Sequence, residues 1–360
     1  MQILGINYDT GTEFEHGDPS RKSWHLGDVQ RDLVAIRDEL HCNSVNVYGT
    51  LLPRIVPAAQ IALREALHVS LQQRTIDAGR RSTLDRIAAA AAAAERLRAL
   101  GPVTLNLGCE TTLFSNGFLP GRGFQRRIAN LRWSWPLLPV ANALFGRFMR
   151  QAAAAARQAF AGPITYSAGT WERVDWSLLD FVGIDLYRDA EIQDRYAEVL
   201  QGYLAYGKPV LVTEFGCCAY EGAQRLGGSG WMAVDWTSSP ARLKPGHVRN
   251  EQVQADVIAG LLDVHAAQGV HGAYVYDFLQ AQMSHSPDPR FDLDMAGYGI
   301  VKVVANGPNT ERLDWEPKAA FATLAARYAA LQARITGNRS APAPGTASRP
   351  AGVDARATRS

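Results

Sequence analysis

The chain has 360 residues, 47% hydrophobic and 20% charged, which is enough apolar material for a large core and excludes wholesale disorder. Its formal charge is +2, and because five Arg and one Asp fall from Arg334 onward, the body before that point carries −2 and lacks the clustered basic surface of a nucleic-acid binder. No apolar stretch reaches the roughly 18 residues of a membrane span, and Met1 runs straight into a strand-like Ile3 to Tyr8, so the expectation is a cytoplasmic protein with neither nucleic acid nor membrane as partner.

Short β-rich runs alternate with longer helical periods. In chain order the expected strands are Ile3 to Tyr8, Ser44 to Tyr48, Leu67 to Leu71, Val103 to Leu107, Ile164 to Ser167, Phe181 to Leu186, Val210 to Thr213 and Ala273 to Phe278. Between the first two, Val29, Leu33, Ile36 and Leu40 recur at helical spacing, and Val253, Val257, Leu261 and Val264 do so before the eighth. The alanine runs 88–94 and 152–156 have the best helix former throughout. Gly101-Pro102, Gly162-Pro163 and Lys208-Pro209 each stop a helix and introduce a strand.

Eight β-then-α units predict an α/β fold with a parallel sheet closed into a single (β/α)8 TIM barrel over residues 1–336. A doubly wound dinucleotide fold would bring G-x-G-x-x-G near the start, and Gly5-Ile6-Asn7-Tyr8-Asp9-Thr10-Gly11 lacks that spacing. Residues 337–360, rich in Pro, Ala, Ser and Arg without an apolar period, read as a disordered tail. Cys42, Cys109, Cys217 and Cys218 show no C-x-x-C spacing and read as reduced thiols.

Chemistry in such a barrel collects at the C-terminal ends of the strands. Two of the chain's 14 glutamates stand there: Glu110 closes the fourth strand in Leu107-Gly108-Cys109-Glu110, and Glu214 closes the seventh in Val212-Thr213-Glu214-Phe215-Gly216. Strands four and seven lie on opposite sides of an eight-stranded barrel, so the two carboxyl groups can face each other over one sugar ring. A retaining glycosidase needs them roughly 5 to 5.5 Å apart.

At these residues the sequence resembles clan A of the retaining glycoside hydrolases, with VTEFG at 212–216, LGCE at 107–110 and WERVDWSLLDFVGIDLY at 171–187 as its strongest matches over about residues 2–330. The resemblance implies Glu214 as nucleophile, Glu110 as acid/base, Tyr187 as hydrogen-bond partner of the nucleophile, and a carbohydrate substrate with no cofactor. Many clan A families place Asn directly before the acid/base; this chain has Cys109. A second resemblance, of GINYDTG at 5–11 and GKPVLVTEFGC at 207–217, is to chains labelled abortive phage infection proteins, a phenotype that names no reaction. A glycan-binding barrel without turnover and a transglycosylase are the alternative readings.

Further candidates for holding the sugar are Asn7, Tyr8 and Asp9 after strand one, Asn46 and Tyr48 after strand two, Asp185 and Tyr187 after strand six, and Asp277 after strand eight. Trp231 follows the glycines of Gly227-Gly228-Ser229-Gly230; a lid that closes on a sugar and a loop tryptophan anchored in the core are equal readings of it. The stretch Phe118 to Trp135 mixes Arg122, Arg126, Arg127 and Arg132 with Trp133 and Trp135; it reads as a solvated helix with its aromatics packed inward, with a site for an anionic glycan as the alternative. Scattered histidines without H-E-x-x-H give no expectation of a catalytic metal, and Asp292-Leu-Asp294 reads as a turn.

Overall fold

Alternation within the strands decides the architecture. In the computed structural model, which describes residues 1–304 and 312–340, eight parallel strands run β1 Ile3–Asp9, β2 Ser44–Gly49, β3 His68–Gln73, β4 Val103–Cys109, β5 Ile164–Ser167, β6 Val182–Asp185, β7 Val210–Phe215 and β8 Gly272–Val275. Hydrogen bonding follows chain order from β1 to β5 and from β6 through β8 back to β1. The circle closes beyond the end of β5, where Ala168 N–H donates to the Gly183 carbonyl (3.1 Å) and the Ala168 carbonyl accepts from Asp185 N–H (2.9 Å). This is the expected TIM barrel.

One set of alternate residues, including Leu4, Ile6, Val45, Val47, Val69, Leu71, Val182, Ile184, Val210 and Val212, faces the helices and forms the main core. Each fully buried Leu or Ile there contributes roughly 2 kcal/mol. The other set points inward and is mostly polar. The Asn7 amide donates to the Thr213 carbonyl (3.0 Å) and accepts from Asn46 (2.7 Å), Asn106 donates to Ser167 (2.7 Å), and Ser44 meets the Tyr274 hydroxyl (2.9 Å). At the base of the lumen the described residues Ile3, Leu211 and Tyr274 form an apolar cluster with Phe181.

The surrounding helices are α1 Leu26–Asp38, α2 Leu52–Arg64, α3 Arg80–Leu97, α4 Leu138–Ala159, α5 Tyr196–Leu204, α6 Glu251–Ala267 and α7 Ala319–Ser340. The connection from β5 to β6 departs from the unbroken alternation expected. It carries no α-helix, only the 3-10 turn Trp176–Leu178 started by Asp175, whose carboxylate accepts from Ser177 N–H. Asp292 and Asp294 are ion-paired, both with Arg249 and Asp294 also with the buried Lys318, so this D-x-D is a structural salt-bridge cluster. Of the expected tail at 337–360, residues 337–340 continue α7 as helix, and 341–360 lie outside the described residues.

The long connection from β4 to α4 corrects one expectation. Trp133 and Trp135 are not packed inward: Ser134, buried between them, turns its N–H and Oγ onto the Asn130 carbonyl (3.0 Å each) and leaves both indoles outside.

Close packing inside the ring gives a first test. Gly183 on β6 sits where a Cβ would lie 2.2 Å from the Tyr166 carbonyl oxygen, a backbone atom that cannot swing away. Gly183→Ala is therefore expected to cost about 1–3 kcal/mol or more through overpacking. A melting temperature unchanged from wild type in a thermal scan at fixed rate would contradict this.

Candidate active site

The strand ends gather carboxyl groups around a single guanidinium. Glu214, the penultimate residue of β7, is buried, and Arg74, just beyond β3, donates to its Oε1. Tyr187 donates its hydroxyl to Glu214 Oε2 at 2.9 Å, the contact anticipated for that tyrosine. Both oxygens of Glu214 thus accept from groups that hold the carboxylate in one orientation. Arg74 is fixed in turn by Gln72 Oε1 (3.0 Å) and by stacking, its guanidinium 4.0 Å from the centre of the Tyr48 ring.

Glu110 differs from Glu214 in every respect that matters for chemistry. It follows β4 in a left-handed backbone conformation, φ +41°, ψ 45°, which costs a non-glycine residue roughly 1–3 kcal/mol and is typically retained where function fixes it. Among the described residues no hydrogen bond reaches its carboxyl group. Burial, the charge of Glu214 and that of Glu172 hold this carboxyl well above the usual carboxylate range, against the opposing pull of Arg74. One carboxyl is clamped by two donors, and the other, with no hydrogen bond among the described residues, is pushed toward its protonated form.

A rigid support stands behind Glu110. The N–H of Thr111 donates to the Tyr166 hydroxyl (2.6 Å), which donates to Glu172 Oε2 (2.8 Å); Glu172 also accepts from Thr112 N–H (2.8 Å) and Gly169 N–H (3.1 Å). Two free N–H groups of the turn Thr111–Phe114 are thereby satisfied, and the turn that aims Glu110 is pinned. Burial raises the Glu172 carboxyl to about 7 despite these donors.

Cys109 occupies the strand end beside Asp185 and Glu214. Its Sγ lies 3.4 Å from Asp185 Oδ2 and 3.6 Å from Glu214 Oε1, so the thiol donates into the acidic pair. Burial and then Glu214 push that thiol up, and burial followed by Glu214 and Glu110 does the same for Asp185. Asp185 also accepts from Thr213 Oγ1 (2.7 Å). The donor atoms of Cys109, Asp185 and Glu214 lie within 4.8 Å of one another, close enough to ligate a cation. Arg74 already places a positive charge on this cluster.

The other expected site residues divide by strand parity. Tyr48 and Asp277 are at the mouth, joined by a 2.6 Å hydrogen bond from the tyrosine hydroxyl. Asn7 and Asn46 lie one layer deeper: Asn46 donates to Asn7, Asn7 donates to backbone carbonyls, and the buried Asn46 Oδ1 has no partner among the described residues. Asp9 accepts from Gly11 N–H (2.9 Å), Thr12 Oγ1 (3.0 Å) and Ser20 Oγ, so its carboxylate organises the loop after β1. Tyr8 points the opposite way from its neighbours: its hydroxyl donates to Asp32 on α1 (2.8 Å) and accepts from Arg21 (2.7 Å), outside the lumen. Consecutive strand residues cannot face one side. Trp231, partly buried, packs against the main core. Its glycine loop is held by Tyr298, whose hydroxyl donates to the Gly227 carbonyl (2.6 Å) and accepts from Gly230 N–H (3.0 Å).

Arg74 and Glu172 were not anticipated in these roles. The Gln72-Gln73-Arg74 ending of β3 was the available signal for the first, a charged residue directly after a buried strand. Glu172 lies within the WERVDW match, but nothing in the sequence places it behind Glu110.

No family model matches the sequence, and no curated protein matches it by sequence. Solved structures do match the fold. The complex structure of a GH113 β-1,4-mannanase superposes with a TM-score of 0.59 at 16% identity, over 91% of this chain and 99% of the other. The GH113 β-mannanase AaManA from Alicyclobacillus acidocaldarius, in complex with ManMIm, gives 0.58 at 15% identity over 92% and 98%. A β-glucosidase, 1317, gives 0.52 at 12% identity over 92% and 98%. At such identities the likeness establishes the shared barrel over nearly the whole of each chain.

Glu172 yields a prediction with a definite sign. Its folded pKa is raised above the unfolded value, so the folded chain binds more protons between about 4.5 and 7; the stability it contributes is present below that window and lost as pH rises through 7. The shift corresponds to about 3 kcal/mol. Melting temperature should fall less steeply from pH 4.5 to 7.5 in Glu172→Gln than in wild type, whatever the offset between them. Parallel curves would show that Glu172 does not titrate there.

Proposed function

We propose that the chain is a retaining glycoside hydrolase in which Glu214 is the nucleophile and Glu110 the acid/base. The observation that carries this reading is the asymmetry of the two strand-end glutamates. Glu214 accepts from Arg74 and Tyr187, while Glu110 has no hydrogen bond to its carboxyl among the described residues and is held toward the protonated form by burial and by Glu214 itself.

In the first step Glu214 attacks the anomeric carbon as the glycosidic C–O bond breaks, and the Glu110 proton goes to the departing oxygen. The covalent ester removes the charge of Glu214, which lowers the proton affinity of Glu110 and turns it into a base. Water then attacks the anomeric carbon from the face the leaving group vacated, gives its proton to Glu110, and frees Glu214 as a carboxylate. Two inversions give net retention. Tyr187 and Arg74 keep Glu214 aimed through the cycle; Tyr48, Tyr276 and Asp277 line the mouth where the sugar enters.

The structural likeness to β-mannanases and a β-glucosidase supports a β-linked glycoside as substrate, and β-1,4-mannan is the first polymer to screen. Cys109 bears on the choice of sugar, because it directs its Sγ toward Asp185 and Glu214 and offers no side-chain amide to a sugar hydroxyl.

Activated aryl β-glycosides test the roles. Glu214→Ala is expected to abolish turnover, and azide to restore it as the glycosyl azide of inverted configuration. With Glu110→Ala an activated substrate still forms the intermediate, which accumulates until azide traps it with net retention. Exchanged stereochemistry would exchange the assignments. A wild type that turns over no member of a broad glycoside panel, yet is stabilised by a glycan, would replace hydrolysis with binding. Tyr187→Phe removes one hydrogen bond to a charged group and should lower kcat roughly ten- to hundred-fold in steady-state assays.

A further inference from the structure

Between Glu110 and Glu172 the chain contains seven arginines and no acidic residue at all, in a protein whose net charge is only +2. The same segment carries the densest exposed apolar surface among the described residues. Trp133 is 72% exposed, Trp135 70%, Val140 62% and Leu137 49%, and Pro136 and Pro139 between them are exposed as well.

This surface is built and not merely loose. Two 3-10 turns, Leu131–Trp133 and Trp135–Leu137, lead into α4, and Leu138 and Ala141 pack inward with Leu113 and Leu119 as a small separate core. The inward positions are therefore filled, and the two indoles are displayed on a fixed tip. Arg132 lies with its guanidinium 4.9 Å from the Trp133 ring centre. Among the described residues no carboxylate pairs with Arg122, Arg126 or Arg132, all of them exposed.

We propose that this tip docks on a bilayer surface rich in anionic phospholipid. Tryptophan is suited to the level of the headgroups, where one part of the ring is apolar and the N–H is wet, and exposed arginines answer the negative surface potential. Charge selects this occupant. A second copy would set one arginine cluster against another, whereas an anionic leaflet meets the exposed Arg122, Arg126 and Arg132, none of them paired with a carboxylate among the described residues. Contact is at the surface, since no helix of the described residues is long and apolar enough to cross a membrane. The proposal is independent of the hydrolase reading.

The full chain would be sedimented with phosphatidylcholine vesicles and with vesicles containing about 30% phosphatidylglycerol at low salt. Each basic residue near an anionic leaflet strengthens partition about five-fold, so three arginines predict roughly hundred-fold preference for the anionic vesicles, reduced by salt. Trp133→Ala with Trp135→Ala, and separately Arg126→Glu with Arg132→Glu, should each weaken binding at least about ten-fold while leaving the melting temperature unchanged, because all four side chains are exposed. Brominated lipid should quench tryptophan emission in wild type and not in the double Trp variant. Failure to bind anionic vesicles, or binding that both double variants retain, would overturn the proposal. So would a dimer in sedimentation velocity, without vesicles, that the Trp substitutions abolish.

Discussion

One guanidinium compensates an acidic mouth. Arg74 stands against Glu214 with Asp185, Glu110 and the Cys109 thiol close by, all on strand ends that the barrel forces together. With the positive charge set against Glu214, burial and the charge of Glu214 push Glu110, Asp185 and the Cys109 thiol up, against the pull of Arg74. The difference between the two glutamates is thus a consequence of where a single cation sits. Its position depends on Tyr48, over whose ring it stacks, and on Gln72, both of which belong to inward-facing strand positions.

The barrel was readable because its eight strands are short apolar runs between strong helical periods, and proline or glycine marks several of the joints. The paired glutamates were readable for the same reason, since a carboxylate at the end of a buried strand has few structural explanations. Side-chain direction was harder. Tyr8 and Asn7 are adjacent in sequence and both polar-tipped, yet parity sends one to Arg21 and Asp32 on the helix side and the other into the lumen. Counting alternate residues from Ile6, which is in the main core, would have separated them.

What the sequence could not convey is a relation between distant segments. The support of Glu110 by Glu172 runs through Thr112 N–H, 60 residues away from Glu172, and through a tyrosine hydroxyl, none of which leaves a motif. Trp133 and Trp135 misled for the opposite reason. Aromatic residues near a helix normally pack inward, but here Leu138 and Ala141 already occupy the inward positions and Ser134 takes the buried place between the indoles.

Closure of the ring also has a consequence for synthesis. Strand β1 is made first but lies between β2 and β8, and the hydroxyl of Tyr328 on α7 donates to the Gly5 carbonyl (2.8 Å) at the same seam. While the ribosome extends the chain, β2 to β4 can add to one side of β1, but its other edge has no partner until residue 275 has emerged. An unpaired strand edge is an adhesive surface. A barrel that begins to form during synthesis therefore holds an open, curved sheet until its eighth strand and α7 arrive as the clasp.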